Sequence, residues 1–86
     1  MDMRRLVGEN VRRIRQDRGL TQEQFAVQSG FSQQYLSGLE RGRRNPTVVT
    51  LFELASALSV TPVDLLAPIE GMNAATPRPG PAKRRR

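Results

Sequence analysis

The sequence predicts an all-α fold, a compact cluster of five short helices. Three observations carry this expectation. Apolar residues recur at helical spacing in the first third of the chain and again between Leu51 and Leu58. Hydroxyl residues that suit helix starts, and glycines that suit helix ends, divide the chain at helix-length intervals. No segment alternates apolar and polar with period two for long enough to make a strand.

The first helix is expected from Met3 to Asp17, with Met3, Leu6, Val7, Val11 and Ile14 on one face and Arg and acids on the other. Gly19 is its stop. Thr21 followed by Gln24 forms a capping box, so a second helix begins at Gln22 and ends near Ser29-Gly30, with Phe25 and Ala26 inward. Ser32 caps a third helix that runs to about Arg41, with Gly42 as its stop. The segment RRNP is a loop, because Pro46 disfavours the helical region for Asn45. Thr47 opens a fourth helix with Leu51, Leu54, Ala55 and Leu58 as its apolar stripe. Thr61-Pro62 starts a fifth, in which Pro takes the first helical position and Asp64 lies near the positive helix end. Val63, Leu65 and Leu66 supply its apolar side.

Residues 1–70 therefore form the folded domain, and residues 71–86, GMNAATPRPGPAKRRR, form a disordered basic Pro/Gly-rich tail. Three Pro, two Gly and almost no apolar bulk cannot offset the entropy of an ordered chain.

Composition excludes several chemistries. There is no Cys and no His, which removes disulfides, thiolate or imidazole metal sites and Cys or Ser–His nucleophiles. Neither an apolar run of membrane-spanning length nor the apolar core of a signal peptide is present, so a cytoplasmic setting is the expectation. The net charge of +6 points to a polyanionic partner. Residues 1–44 carry nine Arg against five acids, residues 45–70 carry three acids and no base, and residues 71–86 carry five bases and no acid. The N-terminal half is the positive pole of the domain.

The third helix separates into two arcs at about 100° per residue. With Gln33 at 0°, Ser37 falls near 40°, Arg41 near 80°, Gln34 near 100° and Gly38 near 140°. This arc is polar, while Tyr35, Leu39 and Leu36, at roughly 200°, 240° and 300°, pack inward. A glutamine amide matches the N6/N7 edge of adenine in a DNA major groove, and a serine hydroxyl can donate or accept. A solvated helix face also carries Gln. The position of this pair, just after a cap, in the second helix of a tight two-helix unit and beside Arg41, Arg43 and Arg44, favours base reading. Gln22 lies at the first turn of the second helix, where free N–H groups suit a phosphate oxygen. The loop Arg41–Asn45 follows the groove helix and suits backbone phosphates.

These residues resemble the lambda-repressor-like helix-turn-helix family, of the Cro or XRE type. The matching pieces are VGENVRRIRQDRGLTQEQFA, GFSQQYLSGLERGRRNP and LFELASALSVTPVDLL, from about Val7 to Leu66. The resemblance implies a compact five-helix domain with helices two and three as the helix-turn-helix. It further implies sequence-specific binding of double-stranded DNA and regulation of transcription, commonly as a homodimer on a near-palindromic operator. Phage repressors of this kind are standard cases of such docking.

On these residues the resemblance puts base reading at Gln33, Gln34, Ser37 and Gly38 and a phosphate clamp at Gln22. It also implies a buried structural ion pair between Arg15 and Glu40. Backbone phosphate contact is further expected of Ser32, Tyr35, Arg41, Arg43, Arg44 and Asn45. Gly38 departs from the pattern, since many relatives present a polar side chain there. Val49, Phe52, Leu66, Ile69 and Met72 either complete the core or form a dimer interface. The cluster Lys83–Arg86 is either a solubilising end or an arm that reaches flanking phosphates. No metal, cofactor, membrane contact or small-molecule effector is expected. A stand-alone repressor, a restriction–modification controller and an antitoxin share these features, an interaction adaptor is a separate class, and an enzyme is disfavoured.

Overall fold

The computed structural model describes residues 2–69; the expected tail at 71–86, with Met72 in it, lies outside the described residues. Five helices follow one another: α1 (Met3–Asp17), α2 (Gln22–Ser29), α3 (Gln33–Glu40), α4 (Val48–Ala57) and α5 (Pro62–Leu66). No strand occurs among the described residues.

Side chains just outside each helix fix where it starts. Asp2 accepts from the Arg4 amide, Ser32 from that of Tyr35 and Thr47 from that of Thr50. At α2 the exchange is reciprocal: the Gln24 amide donates to the Thr21 hydroxyl at 3.0 Å, and the Thr21 amide donates to Oε1 of Gln24 at 2.8 Å. At α5 both the Thr61 amide and its hydroxyl donate to Oδ2 of Asp64. The breaks after α1, α2 and α3 place Gly19, Gly30 and Gly42 at φ of 72°, 84° and 77°, the left-handed region that side chains disfavour.

One core unites the helices. Val7, Val11 and Ile14 from α1 meet Phe25, Leu36, Leu39, Leu54, Ala55, Leu58 and Leu65. α1 packs on α3 and α5, while α4 packs on α2 and α5. The α1–α3 crossing is close: a Cβ added at Gly8 would collide with the Leu39 carbonyl oxygen, so no larger residue fits without moving α3.

Three apolar assignments need correction. Met3 is half exposed on the first turn of α1, and the buried stripe begins at Leu6. Val63 is 70% exposed and Leu66 is 40% exposed, leaving Leu65 as the buried residue of α5. A helix of five residues turns barely one and a half times. Once Leu65 faces inward, Val63 lies about 200° away and Leu66 about 100° away. The apolar stripe of α1 also contains a polar residue: Asn10 is fully buried. Its Nδ2 donates to the carbonyls of Leu65 and Ala67 at 2.9 and 2.8 Å, fastening the end of α5 to α1.

Candidate nucleic-acid interface

α3 shows the two arcs. Leu36 and Leu39 are wholly buried, Gln33 and Gln34 are exposed, and Ser37 and Gly38 are half-buried on the outer side. The two amides sit in the first turn, directly after the Ser32 cap. Their backbone is held by that cap and by packing underneath, so the side chains project from a rigid base.

Behind this face lies a buried polar cluster. Arg15 and Glu40 are 9% and 8% exposed. Arg15 Nε donates to Glu40 Oε2 at 2.7 Å and Nη2 donates to Oε1 at 3.0 Å. The remaining nitrogen, Nη1, donates to the Leu20 carbonyl at 2.7 Å. Gln22 joins the cluster, its Nε2 donating to Glu40 Oε1 at 3.2 Å. One carboxylate thus ties α1, the start of α2 and the end of α3 into a single unit.

Gln22 is therefore partly engaged. One of its two amide hydrogens goes to Glu40, and the other remains available. In the first turn of α2, the Gln24 and Phe25 amides bond to Thr21, while those of Gln22 and Glu23 have no partner within the helix. A cleft beside them is lined by Arg12, Gln16, Gln22, Ser37 and Arg41. Arg12, which lines this cleft, is not among the residues the sequence singles out. It follows Gly8 by one helical turn, and the close approach at Gly8 that brings it alongside α3 has no local sequence signal.

After α3 the chain folds back on the helix end: the Arg41 and Arg43 amides both donate to the Gly38 carbonyl, at 3.2 and 2.9 Å. Arg41, Arg43, Arg44 and Asn45 are exposed. Arg4 and Arg13 lie near Asp2 and Asp17, whereas among the described residues Arg41, Arg43 and Arg44 form no ion pair.

Tyr35 is half-buried and stacks on Phe31, with ring centroids 5.3 Å apart and planes 19° from parallel. The Arg44 guanidinium carbon lies over the Tyr35 ring, 5.3 Å from its centroid. Burial raises the Tyr35 hydroxyl above the usual tyrosine pKa, and the Arg44 charge opposes that shift. The hydroxyl is therefore a neutral donor at physiological pH.

A second exposed surface lies on α4 and α5. Val49 and Phe52 are 65% and 60% exposed, so they do not complete the core. Leu66 is exposed and Ile69 half-buried. Val48 and Val63 add to the exposed apolar material on these helices, although neither was placed there from the sequence.

Two short capped helices in a fixed mutual orientation, with the second presenting a polar face beside a basic loop, define a helix-turn-helix protein. The helix-turn-helix family model matches residues 11–65. The chain is 64% identical over 70 residues to an uncharacterized HTH-type transcriptional regulator, y4dJ, of Sinorhizobium fredii, covering 81% of this chain and 91% of that protein. Among solved structures it is similar to the restriction–modification controller C.AhdI of Aeromonas hydrophila, with a TM-score of 0.68 and 39% identity over 72% of this chain and 94% of that one. It is also similar to the controller C.Esp1396I, solved as a tetramer with its natural 35-base-pair operator, with a TM-score of 0.69 and 32% identity over 76% of this chain and 86% of that one. The chain belongs to the lambda-repressor-like helix-turn-helix family.

Proposed function

We propose that this protein regulates transcription by binding double-stranded DNA sequence-specifically, as a homodimer on a near-palindromic operator. One observation carries the reading: α3 exposes Gln33 and Gln34 on a face locked to the rest of the domain through Glu40. In this reading α3 enters the major groove, Gln33, Gln34 and Ser37 meet base edges, and the protein bound at its operator represses transcription. Gln22, Ser32, Tyr35, Arg41, Arg43 and Asn45 hold backbone phosphates and set the register. The role is binding: among the described residues the buried carboxylate, Glu40, is held by Arg15 and serves to position α3.

The likeness to C.AhdI and C.Esp1396I favours a restriction–modification controller within this class. A gene for a restriction enzyme or methyltransferase beside its own would support that narrower role.

The test is selection of bound sequences from a random duplex pool, followed by titration of the selected site. Gln33→Ala and Gln34→Ala should each weaken the selected site by about 1–3 kcal/mol while leaving random DNA nearly unchanged. Equal losses on both DNAs would remove these residues from base reading.

A further inference from the structure

Gly38 occupies an outward position in α3 where a reading side chain would stand. Its backbone is helical and its φ is not positive, so chain geometry does not require glycine there. Glycine in a helix interior is unfavourable relative to alanine. The Arg44 side chain fills the space beside Gly38. A Cβ at this position would lie 3.0 Å from Arg44 Nε, 3.5 Å from its Cγ and 3.7 Å from its Cδ. The Arg44 side chain lies across the surface that a residue-38 side chain would cover. Its far end rests on the Tyr35 ring, one helical turn earlier. Arg44 is exposed, and among the described residues it forms no ion pair.

We infer that Arg44 reads a guanine in the operator from the place left open by Gly38, as a substitute side chain for the recognition helix. This rests on the DNA-binding reading above and replaces the phosphate role expected of Arg44. A guanidinium offers two parallel N–H donors that match O6 and N7 of guanine in the major groove. The tyrosine face limits where the guanidinium plane can go, which a phosphate contact would not need. Gly38 and Tyr35 are i and i−3, so they flank the seat on one side of α3 next to Gln34. The three residues act together: Tyr35 holds the cation, Gly38 admits the stem and Arg44 supplies the donors.

The experiment compares base preferences of wild type, Arg44→Ala and Gly38→Gln, each selected on the same random duplex library. Wild type should show one column per half-site in which guanine is preferred about ten-fold or more, the size of one good bidentate pair. Arg44→Ala should lose that preference and keep the columns read by Gln33 and Gln34. Gly38→Gln should lose it as well with Arg44 still present, because the new side chain takes the seat. Glutamine is a better helix former than glycine, so the variant should fold, and a thermal melt checks this. An Arg44→Ala protein weakened alike on every sequence would make Arg44 a phosphate contact and overturn the inference. So would a Gly38→Gln protein that keeps the guanine column. A wild-type protein that enriches no sequence would instead overturn the DNA-binding reading itself, and the inference with it.

Discussion

Arg15 and Glu40, twenty-five residues apart, meet through two hydrogen bonds of 2.7 and 3.0 Å, almost out of solvent. The contact fixes the end of α3 against α1 and leaves little freedom in how the outer face of α3 is presented. Such a pair is not necessarily stabilising against an apolar replacement, since both charges lose their hydration. Breaking one side is another matter. Glu40→Ala leaves the guanidinium buried with only the Leu20 carbonyl, and should cost about 3–5 kcal/mol. That is a large share of the about 5–15 kcal/mol that holds a typical small domain together. The double variant Arg15→Met/Glu40→Leu should recover most of that loss in a urea titration, yet bind DNA more weakly because α3 is no longer locked. An unchanged unfolding midpoint for Glu40→Ala would show that the contact does not hold the helices.

Asn10 makes a second prediction about stability. Its two amide hydrogens satisfy the carbonyls of Leu65 and Ala67, and its Oδ1 accepts from Arg13. Asn10→Leu would suit the apolar stripe of α1 by composition alone. It should nonetheless destabilise the domain by about 2 kcal/mol, because one buried and one partly buried carbonyl lose their donor. Amide exchange should speed up first in α5, the element that this side chain fastens. A variant as stable as wild type would mean that water replaces the amide without cost.

The helix starts were legible because capping is local chemistry. Thr21 and Gln24, Ser32, Thr47 and Thr61-Pro62 announce helices within four residues of sequence, and each stands at a helix start in the structure. Facing was legible only where a helix is long enough for its stripe to repeat. α1 repeats its stripe, while α5 does not, and that is why Val63 and Leu66 were assigned to the wrong side. Asn10 looks like a flaw in an apolar stripe until its partners, 55 and 57 residues away, are known. The seat of Arg44 on Gly38 likewise needs the chain to fold back after α3. The Arg15–Glu40 pairing was available only through the family resemblance, because two charges on separate helices carry no spacing signal.

Phosphate contacts make a prediction separable from base reading. Arg43→Ala should lower the slope of log K against log salt by roughly one unit if it neutralises one phosphate. Gln22→Ala should weaken all sequences by a similar factor. It should barely change the stability of the fold, because Glu40 keeps two N–H donors from Arg15. Arg13→Ala serves as a comparison: its guanidinium is turned to Asn10 and Asp17, and its removal should leave the salt slope unchanged. A slope that stays fixed in Arg43→Ala would place that side chain away from the backbone.

The apolar surface on α4 and α5 makes the last prediction. Val48, Val49, Phe52, Val63 and Leu66 are all exposed, and a monomer gains nothing by presenting this much aliphatic and aromatic surface to water. A two-fold dimer would cover the same patch on both copies. It would also set two α3 helices on one face of the DNA, with half-sites about 34–36 Å apart or a multiple of one turn. Phe52 is the informative residue because it is the aromatic one and is 60% exposed, so Phe52→Glu should leave the core intact and the melting curve little changed. Across a two-fold axis the new carboxylates would face each other or the apolar patch, beside Glu53 on each copy. The variant should therefore sediment as a monomer and lose affinity for the full operator by far more than for a single half-site. A Phe52→Glu protein that still sediments as a dimer would exclude Phe52 from the interface and move the search to another face.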